Sequence, residues 1–119
     1  MSETLLMGAV AYDPKVVTIW EGFKQYFAEQ GLDFDYILYS NYERQVEQHF
    51  DGAYHVAWNS PLAWLQVERT AQRLGREAHA IAMRDTDCDL RSVIVVRADS
   101  GIKTLEDLAG KRVGFGAHD

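Results

Sequence analysis

Short apolar runs alternate along this chain with segments whose apolar residues recur at helical spacing, and that alternation leaves few folds open. Leu5-Leu6-Met7-Gly8-Ala9-Val10 is continuously apolar, the pattern of a strand buried on both faces. Asp13 can cap a helix with Pro14 at its first position, where proline's missing N–H costs nothing. Val16, Ile19, Trp20, Phe23 and Phe27 then repeat at helical spacing, and Gly31 ends that helix. Phe34, Tyr36 and Leu38 alternate with Asp33 and Asp35, which predicts a second strand. Ser40-Asn41-Tyr42-Glu43 reads as a capping box that opens a helix to about Phe50, closed by Gly52. Tyr54 to Trp58 is a third strand. Ser60-Pro61 starts a third helix with Leu62, Leu65, Val67 and Leu74 on its apolar side and Gly75 at its end.

Further along, Ala78 to Met83 reads as a fourth extended segment, Arg84 to Leu90 as a polar turn, and Ser92-Val93-Ile94-Val95-Val96-Arg97 as a β-branched strand. Thr104 can cap a short helix, with Asp107 in a capping-box-like position and Leu105 and Leu108 as its small apolar face. Gly110 suits the left-handed residue that ends a helix, and the residues up to Gly116 read as a buried strand running into a glycine loop. Strands separated by helices of about 10–15 residues indicate βαβ units and a mostly parallel sheet. The expected class is α/β, a three-layer αβα lobe.

Composition bounds the function. With 119 residues, 47% hydrophobic and 12% aromatic, the chain can bury one core. A net charge of −6 argues against a nucleic-acid partner, which selects a basic stripe, but not against an anionic ligand, because local donors and dipoles can outvote net charge. Cys88 is the sole cysteine, so an intrachain disulfide and a cysteine-rich metal cluster are excluded. No apolar run approaches the roughly 20 residues that span a bilayer. Met1-Ser2-Glu3-Thr4 has neither the basic start nor the long apolar stretch of a signal peptide. This leaves two expectations: a cytoplasmic protein, or one whose export signal is absent from this sequence.

In open parallel α/β sheets ligands sit outside the carboxyl ends of the strands. That rule selects Tyr12 and Asp13 after the first strand, Ser40, Asn41 and Tyr42 after the second, and Asn59 and Ser60 after the third. Each group opens a helix, whose free N–H groups and positive dipole end favour an anion. Asp13 and Ser40 read as ordinary N-caps. Ser60 reads equally as a cap or a ligand donor, and Tyr12 equally as a structural residue or a ligand contact. Tyr42 offers a hydroxyl in the first helical turn, against the alternative of packing on a neighbouring strand. Asn59 is either a turn residue or an amide donor to a ligand.

Three blocks together, Asn41 to Val46 with Phe50-Asp51-Gly52, His55 to Ala63, and Ser92 to Gly116, resemble the phosphate/phosphite/phosphonate-binding proteins of ABC transporters, which have the type II periplasmic-binding-protein fold. The resemblance runs in order through nearly the whole chain and covers the N-terminal portion of a typical member. It implies a solute-binding protein that holds a small oxyanion between two lobes and is read by an ABC permease, in the periplasm or outside the cell. In such proteins a tyrosine opening the second helix and a residue just after the Ala-Trp strand contact ligand, positions that correspond to Tyr42 and Asn59. Members often carry an aromatic at the second position, from which Asn59 departs. The resemblance also implies a boundary: residues 1–97 as the first lobe, and 98–119 as the crossover into a second, incomplete one. The hydroxyl-rich cradle of the second lobe would lie beyond Asp119, so truncation is expected. A truncated lobe would expose a sheet edge, which predicts association with another copy through that edge or an exchanged C-terminal segment. The alternatives are a fragment of a cytoplasmic enzyme with the same fold, and a truncated product without activity of its own.

Other motifs fail. Asp85, Asp87 and Asp89 start like an EF-hand loop, but Leu90 and Val96 occupy the places of its glycine and glutamate. His49, His55, His79 and His118 lack zinc-site spacing, and only His118 stands near the glycine loop. Gly114-x-Gly116 lacks the third glycine of a dinucleotide fingerprint, and the run at Gly110-Lys111 has Leu105 where a phosphate loop of the Walker type needs its first glycine. Cys88 has no evident base beside it. Trp58 and Trp64 read as core residues rather than ligand platforms. No catalytic residue, cofactor or metal is expected.

Overall fold

Alternation along the first strand sets the layers. A computed structural model describes residues 3–115. Strand β1 (Leu5–Val10) pairs in parallel with β2 (Phe34–Tyr39) on one side and with the short β3 (Val56–Ala57) on the other. The sheet order is therefore β2-β1-β3. Successive β1 residues face opposite sides. Ala9 joins Val16, Trp20 and Phe34 in a buried cluster, with Leu5, Met7, Tyr36 and Leu38 packed against it. This is the face covered by helix α1 (Lys15–Glu29). Gly8 faces the other way and lies against the ring of Tyr54. The Tyr54 hydroxyl donates to the carbonyl of Gln45 in helix α2 (Tyr42–Phe50), which places α2 on the opposite face. Helix α3 (Pro61–Arg73) packs on α2 through Val46, Ala63 and Val67. The result is the expected α/β arrangement with helices on both faces of a parallel sheet.

Local chemistry explains the helix ends. Each of α1, α2 and α3 stops at a glycine with positive φ: Gly31 at 80°, Gly52 at 79° and Gly75 at 64°. In all three the two closing bonds are made, for example Leu32 N–H to Phe27 O at 2.9 Å and Gly31 N–H to Ala28 O at 3.0 Å. These satisfy carbonyls the helix would otherwise orphan.

The chain divides into two compact units between Ala78 and His79. In the second unit the structure corrects the sequence reading. Among the described residues neither 78–83 nor 92–97 enters a ladder, and the expected helix after Thr104 is one 3-10 turn, Glu106–Leu108. The capping-box feature is nonetheless present, because Asp107 Oδ2 accepts from the backbone N–H groups of Lys103 and Thr104 at 2.9 and 3.0 Å. Gly110 is left-handed as expected, at φ 72°. The segment after it is unpaired and Phe115 is exposed, not a buried strand. β-branched residues make a strand only when a neighbour supplies the other half of the ladder, and Val93, Ile94 and Val95 are exposed. The expected glycine loop at Gly116 and His118 beside it lie outside the described residues.

Candidate functional site

The three strands among the described residues run the same way, so the segments that follow them share one edge of the sheet. α1 and α2 cover opposite faces, and β1 and β3 are neighbours. The chain thus reverses direction between β1 and β3, the switch point at which open α/β sheets leave a crevice. Tyr12 and Asp13 follow β1, Ser40 to Tyr42 follow β2 and open α2, and Asn59 and Ser60 follow β3 and open α3.

Caps account for several of these side chains. Asp13 Oδ1 accepts from the Lys15 N–H at 2.8 Å. At α2 the cap is Asn41, not Ser40: Asn41 Oδ1 accepts from the Arg44 N–H at 2.8 Å. The capping-box reading therefore slips by one residue. Asn41 has an extended backbone (φ −156°, ψ 163°), the conformation a cap needs. Ser60 caps α3, its Oγ accepting from the Ala63 N–H at 3.1 Å, with Pro61 at the first helical position. A hydroxyl that accepts still has its own proton to donate, so Ser60 keeps a donor for the rim.

A residue the sequence reading passed over anchors Asn59. Gln45 is fully buried, at 0% exposure. Its Nε2 donates to the Trp58 carbonyl at 3.1 Å and to Asn59 Oδ1 at 2.7 Å. Its own backbone carbonyl accepts the Tyr54 hydroxyl. Tyr42 precedes Gln45 by one helical turn and so lies on the same side of α2. The Tyr42 ring is half-buried against the Val46, Ala63 and Val67 cluster, between α2 and α3 rather than on a strand. Tyr12 is 78% exposed and is tied to this group only by its position on the edge. A glutamine inside a polar helical stretch gives no signal of burial, which is why sequence alone did not select it.

The electrostatics of the edge are those of neutral donors. Among Tyr12, Asp13, Ser40, Asn41, Tyr42, Asn59 and Ser60 the only formal charge is Asp13, already engaged at the start of α1. Behind the edge, burial and the adjacent Tyr39 hold the Tyr54 phenol far above its ordinary range, so it is a fixed donor to Gln45. Trp58 stacks edge-on against Trp20 with ring centroids 6.1 Å apart, supporting the loop from the α1 side. Among the described residues no group of three His, Cys, Asp or Glu side chains is placed to hold a metal ion. No described helix is long and apolar enough to cross a membrane.

A family model described as "ABC transporter, phosphonate, periplasmic substrate-binding protein" matches residues 8–119. No curated protein and no solved structure gives a significant match.

Proposed function

The chain belongs to the phosphonate-binding periplasmic substrate-binding proteins of ABC transporters, and from that premise we propose that it binds a small oxyanion, a phosphonate, phosphite or phosphate, along the edge formed by Tyr42, Asn59, Ser60 and Tyr12. The family is one of transport proteins rather than enzymes, with a small-molecule ligand and a permease partner. In our reading residues 1–97 serve as the first lobe and 98–119 lead toward a second lobe, which completes the site by closing over the ligand about a hinge. No bond is broken; the closed form is what the permease reads.

The observation that carries this reading is the cluster at the β1/β3 switch point. The start of α3, its Ser60 cap and the Asn59 amide converge where a parallel sheet leaves its crevice. Neutral donors aimed by a scaffold suit an oxyanion, because hydrogen bonds to a charged acceptor are roughly twice as strong as neutral ones. Ordinary N–H and O–H donors also hold such an anion without a buried countercharge, whose desolvation is costly.

Isothermal titration calorimetry against methylphosphonate, phosphite and phosphate tests the proposal. It should be run on this chain and on a two-lobed form in which a family member's second lobe is fused to it. Binding by the two-lobed form alone identifies the chain as a half-site. Absence of heat in both forms with all three anions overturns the oxyanion reading.

A further inference from the structure

We infer that Gln45 is a positioning residue that fixes the orientation of the Asn59 amide, turning its NH2 group toward the rim as an anion donor and its oxygen inward. This rests on the oxyanion reading above and specifies how one of its contacts is set. The argument begins with the Trp58 carbonyl. A peptide carbonyl can only accept, so the end of the Gln45 amide that meets it at 3.1 Å must be the NH2. The same nitrogen lies 2.7 Å from the Asn59 side chain. What it meets there must also accept, which makes that atom Oδ1. The Asn59 Nδ2 is thereby directed away from Gln45, and it meets no acceptor among the described residues. Backbone chemistry at position 58 is thus transmitted through one glutamine to the chemistry displayed at position 59.

Gln45 itself cannot turn. Its side chain is fully buried, and its backbone is held by the Tyr54 hydroxyl, whose ring rests on Gly8. Its Oε1 is buried without a hydrogen-bond partner. A buried amide left half-satisfied costs stability, so an apolar residue of similar size would serve packing at least as well. Keeping glutamine here makes physical sense if its NH2 has a task, and the one free choice that NH2 decides is the Asn59 orientation.

Two measurements test this. Side-chain amide exchange, read in nitrogen-15 correlation spectra of this chain without ligand, should show protected Gln45 NH2 protons and fast-exchanging Asn59 NH2 protons. Fast exchange at Gln45 with protection at Asn59 in the unsubstituted chain overturns the inference, whatever the chain binds. The second is a double-mutant cycle on methylphosphonate affinity in the form that binds. Gln45→Leu should weaken binding by about tenfold, the order of one lost hydrogen bond to a charged group. In an Asn59→Ala background the same change should have almost no effect, because Gln45 acts only through Asn59. Equal losses in both backgrounds would make Gln45 a purely structural residue and overturn the inference. If no form binds methylphosphonate, phosphite or phosphate, the oxyanion reading and the anion-donor half of the inference fall together; where phosphite or phosphate binds instead, the same cycle is run on that anion. The exchange pattern then decides the orientation on its own.

Discussion

A single column of residues, Gly8, Tyr54, Gln45 and Asn59, connects the middle of the sheet to the edge at the carboxyl ends of its strands. It begins where a side chain is forbidden. A Cβ on Gly8 would lie 2.6 and 2.7 Å from Tyr54 Cε1 and Cε2, inside van der Waals contact with a ring that is itself buried. Gly8→Ala should therefore destabilise the protein by about 1–3 kcal/mol, the usual cost of overpacking a filled core. Urea unfolding would show it as a lowered midpoint at unchanged slope, and an unchanged midpoint would mean that the ring relaxes freely. The hydroxyl at the other end of that ring gives a pH-dependent counterpart. Burial raises the Tyr54 phenol above its ordinary value, and the Glu21 carboxylate hydrogen-bonded to Tyr36 raises that phenol to about 12. In the unfolded chain both ionise near pH 10. The folded state thus holds protons that the unfolded state releases. The associated stability is complete below pH 10 and is lost as pH rises through 10 toward the folded values. Midpoints compared at pH 8 and pH 11 should fall, and should fall less in Tyr54→Phe.

At the scale of elements, starts and stops were legible because they depend on residues near in sequence. Asn41→Ala removes the acceptor for the Arg44 N–H, and Ser60→Ala removes that for Ala63. Each should cost about 1 kcal/mol of stability in urea unfolding. The two variants should differ in ligand titrations: under the proposed function Ser60→Ala weakens oxyanion binding, whereas Asn41→Ala removes a cap that is not among the proposed contacts. The first three strands, the three helices and their closing glycines could be read from apolar spacing and turn chemistry, with the third strand shortened from Tyr54–Trp58 to Val56–Ala57 and the cap of α2 misplaced by one residue. The segment 92–97 shows what that reading lacks. Its β-branched run records a preference for a pleated, buried surface, but a ladder needs a partner, and no local pattern names one. The site divides in the same way. Tyr12, Tyr42, Asn59 and Ser60 could be proposed from the sequence because they follow strands on one edge. Gln45 was not, because its importance comes from a bond to a residue fourteen positions away.

At the scale of the whole molecule, two features bear on association. Among the described residues the sheet order β2-β1-β3 leaves β3 as an edge with only Val56 and Ala57 in a ladder. In the other unit, Val93 is 76% and Val95 83% exposed. Sheet edges and unpaired β-branched runs are what separate chains use to pair with one another. Light scattering after size exclusion should accordingly give a mass above that of one chain, rising with concentration. Val95→Lys should lower that mass, since a charge on such a run opposes pairing. The helical circular dichroism should not change, because all three α-helices among the described residues precede residue 95. A fused second lobe offers the same surfaces a partner within one molecule. Under the proposed function, the two-lobed form should therefore run as a monomer under the conditions in which the single chain associates. A single chain that stays monomeric at every concentration would show that these surfaces are satisfied within one copy. A two-lobed form that associates as strongly as the single chain would show that the second lobe covers neither surface.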